Sequence, residues 1–307
     1  AVLGEKLGIR FTSSPHATGP LSLEALQQVS RGFRPPITAL DIHHDLDWAG
    51  RIESAGASAL MTGKGGDSIL VQAVTTEVFT DLWVSRGARA LLGPDALKLA
   101  AINEVSIWTL VRDARRWPDA PPGPSAFAGL ISTLGASKVV HPWLTDCEDF
   151  GPAKLRQIAG VADSVSRHGP SLLTDRIDVR HPLCSQPVIE ACLSIPISLM
   201  TLGVRDRGLA RHAFRDRLPD LIAERRSKGD MSSIYGHMIL DNLDLIRPFL
   251  LEGRLISEGV LDPEATDAAL SREQLTWHGR YAAIMVAVAF EAWVRAWEAR
   301  LSSRTKG

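Results

Sequence analysis

The run "ASALMTGKGGDSILVQ", residues 57–72, constrains this chain more than any other stretch. A short apolar segment ends at Thr62, three glycines surround Lys64, and Asp67 follows at once. So brief an apolar run, closed by glycines, is the pattern of a buried strand turning into a helix. Upstream, "AVLGEKLG" reads as the end of a helix stopped at Gly8, "IRFTSS" as a short strand and "LSLEALQQVSRGF" as a second helix. "PPITALDIHHDLDWAGRIESAG" reads as a Pro-led turn and a helix. Helix and strand alternating in this way predict an α/β unit with a parallel sheet over residues 1–80.

Beyond Gln72 the pattern is helical throughout, so residues 81–307 are expected to form a large, mostly helical extension. Pro94 opens a long helix, with Leu97, Ala101, Val105, Trp108 and Val111 spaced to share a face. "RRWPDAPPGPSA" ends it as a surface loop. Further helices are expected near 154–166, 186–193, 206–216, 232–251 and 279–301. In the last, Tyr281 to Phe290 is an apolar run too short to cross a bilayer and suited to the middle of a core helix. Phe290, Trp293 and Trp297 form an aromatic stripe, read as core. The chain shows neither an internal repeat nor a linker.

Composition narrows the function classes. A net charge of -1 gives no overall attraction to nucleic acid or to an anionic membrane. Cys147, Cys184 and Cys192 have no metal-type spacing and read as reduced thiols of a cytoplasmic protein. The opening "AVLGEKLGIRF" lacks a methionine and starts within a helical pattern, so the sequence is expected to be a piece of something longer.

The glycine turn admits two readings. Backbone amides converging in such a turn can bind oxyanions, and Asp67 at its end would then hold Mg²⁺ beside a polyphosphate. Alternatively the turn is merely tight, and Asp67 caps the next helix. Two familiar phosphate loops are excluded. GxxxxGK[ST] would need glycine at Ser58 and a hydroxyl at Gly65, and no third glycine follows for GxGxxG. A second basic stretch, "RRSKGD" with Arg225, Arg226 and Lys228 beside Gly229, suits a developing negative charge. His43, His44 and Asp45 are set aside as a metal site, because adjacent helical histidines face different sides. Glu104 reads as an exposed glutamate, and His181 as a residue able to line a peptide site or merely to support a turn.

Taken together, "TGKGGDSIL", "VRHPLCSQPVIEACLSIP" and "LARHAFRDRLPDLIAERRSKGD" resemble, in order and spacing, the C-terminal synthetase domain of the asparagine synthetase family. The variants "GGDSILVQ", "HPWL", "HPLCSQPVIEACL" and "RRSKGD" are most similar to lasso-peptide macrolactam cyclases within it. The resemblance implies an adenine-nucleotide α-hydrolase-like (ATP pyrophosphatase) fold, here N-terminally incomplete. It implies that ATP activates an Asp or Glu side chain of a ribosomal precursor peptide, whose N-terminal amine then closes the ring, with AMP and pyrophosphate released. Thr62, Gly63, Gly65 and Gly66 match the loop that meets the nucleotide phosphates. Asp67 matches the residue that holds Mg²⁺ and pyrophosphate. Lys228 matches the lysine that steadies the charged intermediate, and Lys64 occupies a variable position near the acceptor amine. The implied partners are the precursor peptide, a leader-peptide-binding protein and a protease.

The family's SGGxDS loop is missing from these 307 residues, as is the glutaminase-like domain. A companion portion carrying SGGxDS is therefore an expected partner. Two other readings stay open: an asparagine synthetase proper, and a non-catalytic relative that binds peptide or nucleotide.

Overall fold

A computed structural model describes residues 2–37, 39–117, 130, 141–225, 231–277 and 280–304. These residues are mostly helical, around one two-stranded parallel sheet. The helix Ile42–Ser54 ends in a left-handed residue, Gly56 at φ +67°, and the amide of Ala57 returns to the carbonyl of Ile52 at 3.1 Å. That closure is what a glycine just past a helix end permits. The chain then enters β1, Ala59–Met61, which pairs in parallel with β2, Asp178–Arg180, in the register Leu60 to Val179. Leu60, Ile177 and Val179 cover the face of the helix formed by Ala49 and Ile52. The outer face is open: Met61 is 71% exposed.

The sheet takes its second strand from the stretch expected to be helical. "DVR" is too short and too polar to show a strand period, and a parallel partner always lies a long crossover away. The strand expected over 9–14 is absent among the described residues; that segment runs without regular pairing.

A second core forms around Val78, Phe79, Leu82, Leu99, Leu110 and Ala114. The single long helix expected from Pro94 is two, Pro94–Ile102 and Ile107–Arg115. Glu104 lies between them at φ +52°, and the Ser106 hydroxyl accepts from the Thr109 amide at 3.0 Å, restarting the helix. The break shifts the helical phase, so Leu97 and Trp108 point outward, Trp108 at 81% exposure, while Ala96, Leu99 and Leu110 are buried. Glu104 is exposed as expected, though on a turn.

The third and largest core gathers the helices after residue 231 with Leu21, Leu26 and Leu40. The helix expected over 232–251 is broken at Asn242 into Ser232–Asp241 and Leu243–Leu251. Asn242 there accepts from the Leu21 amide at 2.7 Å and donates to the Met238 carbonyl at 2.8 Å, stapling the N-terminal segment to the bundle. The helix Tyr281–Arg304 buries Ala283, Ile284, Ala287 and Val288, as its apolar run implies. Its Glu291, fully buried, accepts from the amides of Arg254 and Leu255 at 2.8 and 2.9 Å and from Arg295. The aromatic stripe is not core. Phe290 is exposed, and Trp293 and Trp297 lie half-buried, both donating to the carbonyl of Gly32 at 3.0 Å. No helix among the described residues is long and apolar enough to cross a membrane.

Asp81 caps the helix Pro152–Ser166, accepting from the amides of Ala153 and Lys154 at 2.9 and 3.0 Å. Burial pushes its carboxyl up from 3.8 to about 6. The folded state therefore holds a proton that the unfolded chain has released, so Asp81's contribution is full below 3.8 and is lost as pH rises through about 6. In Asp81→Asn, which keeps one acceptor and cannot ionise, stability relative to the parent should rise across that window by about 1–3 kcal/mol. Urea midpoints measured against pH check this; a difference that is flat or falls with pH contradicts it.

Candidate functional site

The site is built where β1 gives out. The Thr62 amide still donates to Arg180 at 3.0 Å, extending the sheet by one bond. The Thr62 side chain then turns to two partners. Its Oγ1 is hydrogen-bonded to Nδ1 of His181 at 2.6 Å and accepts from the Lys64 amide at 3.2 Å. The chain reverses at Gly65, φ +83°, and starts the single helical turn Gly66–Ile69. Only glycine suits that position: a Cβ on Gly65 would lie 2.5 Å from Sγ of Cys184, in a backbone conformation that already penalises side chains. Gly66 donates back to the Gly63 carbonyl at 3.1 Å, whereas the amides of Gly63 and Gly65 meet no acceptor among the described residues. Two unspent donors on one tight turn are the raw material of an oxyanion nest.

The capping alternative fails on geometry. Gly65, not Asp67, is the N-cap, and the short helix has no side-chain cap. Asp67 faces outward and pairs with the guanidinium of Arg207.

What holds the turn is mostly the helix Pro152–Ser166. Gly160 lets it approach closely, since a Cβ there would meet Ser68 Oγ at 2.6 Å. Gln157 donates to the Ile69 carbonyl at 2.9 Å. Lys154, only 7% exposed, donates to Gln157, to the Leu193 carbonyl and to the Ile195 carbonyl at 2.7, 2.8 and 2.8 Å. All three of its protons are thus used, as a buried ammonium requires.

The wall opposite is basic and partly dry. Lys64 donates to the Arg167 carbonyl, and burial lowers its pKa. His168 meets His181 edge-on, with ring centroids 4.8 Å apart. Burial first, then Lys64 and His168, lowers the pKa of His181, so the ring beside the turn is held neutral. Cys184 donates weakly to the Lys64 carbonyl at 3.5 Å, and burial raises its thiol pKa, which suits packing rather than nucleophilic attack.

From Asp67 a chain of charges leads away from the turn. Arg207 also reaches Asp206 at 3.4 Å, and Asp206 pairs with Arg211 at 2.8 Å. Arg211 and Arg205 donate to the carbonyls of Ile222 and Ala223, at the end of the helix Asp220–Ala223. Arg207 is itself anchored, its amide donating to the Val71 carbonyl at 3.0 Å. The sequence continues from there into the segment with Lys228, which lies outside the described residues. A cleft of about 620 Å³ opens beside Asp206, lined by Gln72, Val74, Lys98, Ile102, Val204 and Arg205.

The structure thus places Thr62, Gly63, Lys64, Gly65, Gly66 and Asp67 on one turn and adds His168, His181, Cys184 and Arg207 around it. Arg207 and His168 carry no sequence signal of their own, because both come to the turn through tertiary packing. His43 and His44 diverge as expected, His43 to the Pro20 carbonyl and His44 onto the ring of His16. No group of three metal-ligating side chains exists among the described residues. Asp67 offers one carboxylate, which fits Mg²⁺ only in company with phosphate oxygens and water.

Residues 170–295 match the asparagine synthase family model. The matched region takes in β2, His181, Cys184, Arg207 and the segment with Lys228, while the glycine turn lies upstream of it. The match supports the asparagine synthetase family and, with it, ATP-dependent amide-forming ligase chemistry. No curated protein and no solved structure gives a significant match.

Gly65→Ala should cost about 1–3 kcal/mol through backbone strain and the Cys184 collision together. In the Cys184→Ala background the cost should shrink but not vanish, because φ remains positive. A urea double-mutant cycle measures the coupling. Equal costs in both backgrounds would show that Cys184 does not wall the turn.

Proposed function

We propose that this chain is part of an ATP-dependent, AMP-forming ligase that joins an Asp or Glu side chain of a ribosomal peptide to the peptide's own N-terminal amine. The observation that carries the reading is the docking of the upstream glycine turn onto His181 and Arg207, two residues of the family-matched region. A phosphate-binding turn and an amide-ligase region thereby become one site, with the ATP pyrophosphatase-like fold that such a site implies.

In this reading the amides of Gly63 and Gly65 would receive phosphate oxygens of ATP, and Asp67 would hold Mg²⁺, which would offset negative charge on the phosphates. The substrate carboxylate attacks the α-phosphate and is activated as its adenylate. The incoming ammonium must lose a proton before it can attack the acyl carbon and expel AMP. His181 stands at the turn as a neutral imidazole able to take that proton. Lys64, partly desolvated beside it, keeps the resting ring unprotonated and favours the neutral amine, while making His181 a weaker base. Lys228 matches, by resemblance, the cation that offsets charge on the phosphate. Arg205 and Arg211 fix the helix end from which its segment departs. The mixed apolar and polar lining of the cleft beside Asp206 suits a peptide segment.

The missing SGGxDS loop is supplied, in this proposal, by a further polypeptide portion. Purified from its native source with that portion, the protein should remove one water from a precursor peptide while ATP is converted to AMP. Asp67→Asn and Lys228→Ala should each lower the rate at least ~100-fold. Robust ATP–pyrophosphate exchange by the 307-residue chain alone would contradict the split site. Conversion of free aspartate and ammonia to asparagine would contradict the peptide substrate.

A further inference from the structure

The outer end of the helix Tyr281–Arg304 carries a feature the ligase reading leaves unused. Trp293, Trp297, Arg300, Leu301 and Arg304 recur at helical spacing on one face. The loop residues Arg31, Gly32, Phe33 and Arg34 fold over that face. Both indole N–H groups donate to the Gly32 carbonyl at 3.0 Å, and Arg300 donates to the Arg31 carbonyl at 2.7 Å while its guanidinium lies 5.2 Å from the Trp297 ring. These bonds pin the loop yet leave Phe33 at 89% exposure, its ring 5.8 Å from that of Trp297. Beside this ring pair is a groove of about 570 Å³ lined by Phe33, Trp297, Arg300, Leu301, Ser303 and Arg304.

Its charge is one-sided. None of the lining residues is acidic, and Arg31, Arg34 and Arg304 have no ion-pair partner among the described residues, in a chain whose overall charge is only -1. Rigid aromatic side chains flanked by arginines are the composition of binding hot spots, and an exposed ring in a pinned loop loses little entropy on being covered. We propose that this groove docks an acidic peptide segment of a partner protein, which sets one apolar side chain against the exposed faces of the Phe33–Trp297 ring pair and carboxylates against Arg31, Arg34, Arg300 and Arg304. The concave shape favours a peptide over a lipid surface, which would call for a convex or planar apolar face. The proposal is independent of the ligase reading.

The test passes a library of short acidic peptides, each with one apolar or aromatic anchor, over the immobilised 307-residue chain and over its Phe33→Ser and Arg34→Glu/Arg304→Glu variants. Fluorescence anisotropy then follows the enriched peptides. Enrichment on the parent, at least ~10-fold weaker binding to either variant, and weakening with added salt are the expected results. Because Phe33, Arg34 and Arg304 are exposed, both variants should melt with the parent. Three results overturn the proposal: no enrichment on the parent, equal binding by the variants, or binding to phosphatidylserine vesicles without any to acidic peptides.

Discussion

A single buried ammonium organises the site. Lys154 is taken out of water, at a cost that only complete hydrogen bonding offsets, and burial lowers its pKa accordingly. Its three acceptors belong to two places: Gln157 on its own helix, and the carbonyls of Leu193 and Ile195 where the helix Gln186–Leu193 ends. Gln157 passes the restraint on to the Ile69 carbonyl, the last residue of the helical turn after the glycines. The position of the turn is therefore set from beneath by polar bonds with definite directions, which apolar packing alone would not impose.

The upper side of the turn is fixed by different means. His181 follows directly from β2, so the strand register that pairs Met61 with Arg180 also brings the imidazole to Thr62. Arg207 reaches Asp67 from a left-handed backbone position at φ +50°, held by its own amide on Val71. Residues far apart in sequence thus surround a turn of six, and little side-chain entropy is left to lose when a ligand arrives. The same network, through Asp206 and Arg211, ties the turn to the helix end that precedes Lys228.

Much of this was legible in the sequence, and what was not has physical reasons. The glycine turn announced itself because only glycine tolerates φ +83° against a neighbouring sulfur. The core helix through Ala287 showed in its apolar run. By contrast, β2 is three residues long with one apolar side chain, so no periodicity could reveal it. The break at Glu104 was hidden because its flanks each keep helical spacing, and only the left-handed turn and the Ser106 cap change the phase. The tryptophans at 293 and 297 looked like core but serve as hydrogen-bond donors at a surface loop, which hydrophobicity alone does not register. Arg207 and His168 were invisible for the same reason as β2: their roles depend on what packs beside them.

The central claim is that the turn from Thr62 to Asp67 receives the phosphates of a magnesium nucleotide. Isothermal titration of pyrophosphate into the chain, with and without Mg²⁺, tests it most directly. The account predicts saturable binding that requires Mg²⁺ and disappears in Asp67→Ala while thermal unfolding is unchanged. Binding that is indifferent both to Mg²⁺ and to Asp67 would show that the glycines only turn the chain.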